Sequence, residues 1–147
     1  MRCVSYDTRP QQKYKSDKEE EKHLKRLIAA AVLLIIVATT YICSYIYIDK
    51  TCNEANELLN ECVEIYTSDQ NAAASARKLN KFWGKKEIPL SFIANHTSID
   101  EIEMAIGSLV SYSNSPENEI FYEYAGTVKT LLHQLMEDTK PGIHSIF

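Results

Sequence analysis

The sequence predicts an all-α protein: one N-terminal transmembrane helix followed by an extracytoplasmic antiparallel bundle of about four helices. Three observations predict it. A block of 22 residues, opening at Leu27 and closing at Ile48, carries no charge. Beyond it, apolar residues recur at three- and four-residue steps, the spacing of one helix face. Four glycines and four prolines in 147 residues leave few turns for an all-β sandwich and exclude collagen-like or Gly/Pro-rich chains.

The uncharged block reads LIAAAVLLIIVATTYICSYIYI. As a helix it spans roughly 33 Å, enough for a hydrocarbon core of about 30 Å. Tyr41, Tyr45 and Tyr47 gather near its far end, where amphipathic rings favour the headgroup interface. A cleaved signal peptide would have a shorter apolar core and a small-residue exit, and a lipoprotein signal would place a small residue before Cys43. Ile42 stands there instead, so an uncleaved signal-anchor is expected. Lipid is therefore the first expected partner, through residues 27–48.

Charge gives the orientation. Residues 1–26 hold eight basic and five acidic side chains, with Lys22, Lys25 and Arg26 against the apolar block. Residues 49–147 hold eight basic and fifteen acidic ones. The positive-inside rule places the tail of residues 1–26 in the cytoplasm and residues 49–147 outside the cytoplasmic membrane of a single-pass protein. The tail is too polar to bury a core of its own. Ser16 and Asp17 are N-cap types from which the membrane helix would extend outward.

In the external part the first stripe is Cys52, Ala55, Leu59, Cys62 and Tyr66, widened by Leu58, Val63 and Ile65. It is expected to continue the membrane helix. Thr67, Ser68 and Asp69 interrupt it and offer N-cap side chains to the next helix. A second stripe runs through Ala73, Ala76, Leu79, Phe82 and Trp83. Lys81, Lys85 and Lys86 are expected at that helix's end, where the dipole favours cations. The segment from Pro89 to Asn95 is ambiguous, too apolar for a free loop. Thr97 and Ser98, each three residues before an acid, predict a helix start. Ile99, Ile102, Ile106, Leu109 and Ser113 follow at helical spacing. Pro116 fits the first position of a last helix whose face is Phe121, Tyr124, Val128, Leu131 or Leu132, and Leu135. Lys140, Pro141 and Gly142 end it, and Ile143, Ile146 and Phe147 are apolar enough to dock back on the body.

Chemistry is sparse. The chain lacks G-x-S-x-G, a Gly-rich phosphate loop, H-E-x-x-H and C-x-x-C, so no enzyme and no cofactor are expected. His96 stands four residues before Asp100, with Glu103 three further on, and His133 four before Glu137; His96, Asp100, Glu103 and His133 are thus candidates for a divalent metal, and solvated helix faces explain them as well. Cys52 and Cys62 stand about 15 Å apart along one helix, beyond the roughly 7 Å a disulfide spans. They read as free buried thiols, with a Cys52–Cys52 link in a parallel homodimer as the other option. Asn95-His96-Thr97 is formally a glycosylation acceptor. The acidic external part argues against nucleic acid as a partner. A helical domain without catalytic motifs points to protein interaction, with another membrane or extracytoplasmic protein. Phe82, Trp83 and Phe147 are its aromatic contact candidates, although Trp83 suits a core equally. The alternative is an extracytoplasmic sensor or metal-responsive regulator using the four metal candidates.

Phe82-Trp83, the stretch from Phe92 through His96, Ile99, Asp100, Ile102 and Glu103, Leu131-Leu132-His133 and the closing Ile143-His144-Ser145-Ile146-Phe147 resemble the domain of unknown function family DUF4363. The resemblance covers roughly residues 30–147. It implies a small bacterial protein of clostridial type with a short membrane anchor and a helical extracytoplasmic domain. That in turn disfavours glycosylation at Asn95. Two departures stand out: Thr97 and Ser98 occupy positions where the family often has a histidine or an acid, and the charged segment before the anchor is long.

Overall fold

The computed structural model describes the backbone of residues 9–69 and 71–140, and side chains from residue 22 onward. Among the described residues there are four helices and no strand: α1 (Arg9–Asp69), α2 (Ala73–Ser91), α3 (His96–Tyr112) and α4 (Asn118–Thr139). Helix α1 begins at Arg9, so Ser16 and Asp17 lie inside it and are not its caps. The uncharged block and the first amphipathic stripe are both parts of α1. Two compact units divide the chain, Met1–Ile42 and Cys43–Phe147.

In the first unit the large apolar side chains from Leu27 to Val37 are 50–70% exposed, with no core to receive them. The Lys22–Asp69 part of α1 is long and apolar enough to cross a membrane, by length and composition. Its polar groups are met within the helix: the Thr39 and Thr40 hydroxyls donate to the carbonyls of Ile35 and Ile36 at 2.8 and 2.7 Å. Such back-bonding is what an apolar solvent requires of a hydroxyl.

In the second unit the stripes become the core. Cys52, Ala55, Leu59, Cys62 and Tyr66 of α1 are all buried, as is Ile48 one turn earlier. They meet Ala72, Ala76, Leu79, Trp83 and Leu90 from the α2 region, Ile99, Ile102, Ile106 and Leu109 from α3, and Phe121, Ala125, Val128, Leu132 and Leu135 from α4. Aromatic packing joins distant parts of the chain. The Tyr66 ring stacks on Phe121 at 3.7 Å, and Tyr112 of α3 stacks on Tyr124 of α4 at 5.6 Å. The Tyr66 hydroxyl donates to the Ser115 carbonyl at 2.7 Å and lies 2.9 Å from Asn118 Oδ1. Burial pushes the Tyr66 phenol above its ordinary value, with Tyr122 adding to the effect.

Helix boundaries depart from the sequence expectations, each for a local reason. Thr67 and Ser68 close the last turn of α1 rather than capping α2: Thr67 Oγ1 donates to the Val63 carbonyl at 2.8 Å, and Ser68 Oγ to Ile65 at 3.0 Å. The N-cap of α2 is Ala72, which has no capping side chain. Its own N–H donates to the Ser113 carbonyl at 2.8 Å, tying the α1–α2 and α3–α4 connections together. Helix α2 runs through Pro89 to Ser91, because Leu90 buries completely and carries the turn onto the core. A proline so close to the end removes one intrahelical bond without splitting a long helix. Lys81, Lys85 and Lys86 therefore lie before the last turn, where the dipole argument no longer applies. Asn95, not Thr97 or Ser98, caps α3, its side chain accepting from the Thr97 N–H at 3.0 Å. Helix α4 starts at Asn118 with Glu117 as N-cap, so Pro116 precedes the helix instead of opening it. The expected docking of Ile143, Ile146 and Phe147 lies outside the described residues.

Candidate functional site

A groove of about 590 Å³ lies between α1 and α2 in the second unit. Its walls come from two rows of like spacing. Glu54, Glu57 and Glu61 follow at steps of three and four on α1, and Lys78, Lys81 and Lys85 do the same on α2. Residues so spaced share a helix face. Leu58 and Phe82, both half-buried against the core, form the floor.

The two rows meet at one place only. Lys78 Nζ lies 2.8 Å from Glu61 Oε2. Both side chains stay about half exposed, so the pair is worth at most about 1 kcal/mol. Glu54 turns toward Lys50 at 3.9 Å. Glu57, Lys81 and Lys85 form no ion pair among the described residues. The groove thus presents an acidic wall, a basic wall and an apolar floor. Beyond it, Lys86 Nζ sits 5.5 Å from the ring centres of both Tyr47 and Phe82, a cation–π arrangement binding the end of α2 to α1.

Of the aromatic contact candidates, Phe82 lies in the groove and Trp83 does not. Trp83 is fully buried, and its Nε1–H has no acceptor among the described residues, as Asn56 Oδ1 has no donor. Phe147 falls outside the described residues. The four metal candidates His96, Asp100, Glu103 and His133 are all exposed, and only His133 meets an acid, Glu137 at 3.9 Å. No three His, Cys, Asp or Glu side chains among the described residues are grouped to hold a metal.

The thiols are quiet. Cys52 and Cys62 are free and buried. Burial, with a smaller contribution from Asp49, pushes Cys52 up to about 12. Burial also raises Cys62, with Glu61 adding to the rise and a bond from Ser75 opposing it. A thiol so protonated is a poor nucleophile and a poor metal ligand.

The family profile of Domain of unknown function (DUF4363) matches residues 42–146, most of the chain. The chain belongs to this family. The match opens beside Cys43, the first residue of the compact helical unit, so membership concerns the helical body. It leaves out residues 30–41, which the sequence resemblance had included, and so says nothing of an anchor. No curated protein and no solved structure matches the chain.

The groove was the feature sequence reasoning missed. Its signal was present: two rows of like charge at steps of three and four, each flanking one apolar residue, Leu58 or Phe82. Read one helix at a time, such rows are ordinary solvated faces, and they become a site only when the two helices are set side by side.

Proposed function

We propose that the chain is a single-pass membrane protein whose tail of residues 1–26 is cytoplasmic. Its helical domain is an antiparallel bundle outside the cytoplasmic membrane, and it works as a protein-interaction module. The observation that carries this reading is the α1–α2 groove. An apolar floor between an acidic and a basic wall suits an amphipathic helix of another membrane or extracytoplasmic protein, laid in with charges on both flanks. Support for the location comes from the uncharged, exposed part of α1 and from the charge contrast across it. The fully buried Trp83 belongs to the packing beneath the groove, and Phe82 is the aromatic available to a partner.

A photo-crosslinking side chain at Phe82, in the full chain in native membranes, tests the reading. It should give a discrete adduct that a probe at Tyr122, at the junction of α1 and α4, does not give. Lys81→Glu with Lys85→Glu should abolish that adduct by making both walls acidic. An adduct that ignores the reversal, or its absence under several growth conditions, removes the groove as the contact surface.

A further inference from the structure

The connections of the helical unit differ sharply in character. The α3–α4 connection is Ser-Asn-Ser-Pro-Glu, and it is tied to the start of α2 through the Ala72–Ser113 hydrogen bond and to Tyr66 through Ser115. The last turn of α2 and the α2–α3 connection that follows it are apolar and exposed: Ile88 is 67% exposed, Phe92 84% and Ile93 38%. Solvent-exposed aromatic and aliphatic side chains in one short turn need a reason in a soluble surface. They are also firmly presented. Leu90 is buried beneath them, and its carbonyl accepts from the N–H groups of Ile93 and Ala94 at 2.9 and 2.8 Å.

Where this turn lies is decided within the same unit. Lys86, two residues before Ile88, stands over the ring of Tyr47. Tyr47 is next to the last residue of the uncharged block. The apolar turn is therefore at the end of the unit where the chain leaves the apolar segment, and the polar connection is at the other end, by Tyr66.

We propose that the α2–α3 turn is a lipid-contacting edge, in which Ile88, Phe92 and Ile93 enter the interfacial layer of the bilayer while Lys86 holds its ammonium at the level of the phosphates. The inference rests on the reading of residues 27–48 as a membrane segment. Aromatic rings are favoured in this layer, and a lysine stem lies along apolar surface with its charge in water. Three exposed apolar side chains that enter the lipid, added to a membrane-spanning helix, fix the tilt of the domain on the membrane rather than its attachment.

The test uses the full chain in phosphatidylcholine–phosphatidylglycerol vesicles, with and without brominated lipid, which quenches tryptophan at short range. Phe92→Trp adds one fluorophore to the buried Trp83 at a position whose exposure makes folding indifferent to the change. Brominated lipid should remove most of the added emission, and Ile88→Trp should behave likewise. Tyr122→Trp, near Thr67 at the other end of the unit, should keep its emission. An unquenched Phe92→Trp overturns the proposal, including the case in which its emission shifts to the blue because a second copy or a protein partner covers it. Equal quenching at positions 92 and 122 overturns it too, since the domain then lies flat. Tyr41→Trp separates the two levels: quenched there but not at 92, the edge fails alone, whereas no quenching at either position means that the membrane segment itself fails.

Discussion

Cys52 shows how a single buried group connects structure to an observable. Its thiol is fully buried and held up to about 12 against an ordinary 9.0, so the unfolded chain loses this proton at a lower pH than the folded one. The stabilisation is complete below pH 9 and is lost as pH rises toward 12, because only the unfolded state gains by ionising in that window. Between pH 8 and about pH 10.5 the difference amounts to about 2 kcal/mol. Thermal melts of the full chain in detergent should fall over this range, and Cys52→Ala should melt with about 2 kcal/mol less pH dependence over the same interval. An identical fall in both proteins assigns it to other groups, of which Cys62 and Tyr66 shift in the same direction.

At the scale of the element, caps and packing speak in different voices. Asn95 caps α3 with its side chain, which accepts from the Thr97 N–H, so Asn95→Ala should cost about 1 kcal/mol, while Asn95→Asp should cost little. Thr97→Ala and Ser98→Ala, at the positions that spacing alone nominates, should stay within about 0.5 kcal/mol of the parent in melts. A larger loss at Thr97 than at Asn95 would show that the helix begins later than Asn95. The stripes were legible because burial of five or so apolar side chains per helix outweighs everything else. Cys52, Ala55, Leu59, Cys62 and Tyr66 face the core as their spacing says, as do Ile99, Ile102, Ile106 and Leu109. The boundaries were not, because a cap is a matter of about 1 kcal/mol decided by which side chain the local backbone aims inward. Pro89 illustrates this: as a letter it reads as a break, yet complete burial of Leu90 draws α2 two residues past it. The candidate groove was illegible for a third reason. It belongs to a pair of helices, and neither the Glu54–Glu57–Glu61 row nor the Lys78–Lys81–Lys85 row carries it alone.

At the scale of the whole molecule, the uncharged block of α1 hands over to the folded body within its last turns. Composition treats residues 27–48 as one uncharged block, but its last residue is 1% exposed within the core, and the family match and the compact unit open at residues 42 and 43. Two isoleucines one half-turn apart separate the environments. Ile46 is exposed, whereas Ile48 packs with Cys52 and the other buried residues. If the whole block served only lipid, Ile46→Ala and Ile48→Ala would have the same effect, since each removes the same atoms from the same solvent. With Ile48 in the core, Ile48→Ala should cost about 2–4 kcal/mol through lost burial and the cavity left behind. For a helical body of this size that lowers the melting temperature by roughly 10 °C or more. Ile46→Ala in the same detergent micelles should melt within a degree or two of the parent, because exposed substitutions rarely exceed about 0.5 kcal/mol. Equal shifts at the two positions would move the handover past Ile48 and return that residue to the membrane. The expected difference makes the tyrosine-rich end of the block part of both structures: Tyr47 supports Lys86 on one side while the very next residue, Ile48, is already core.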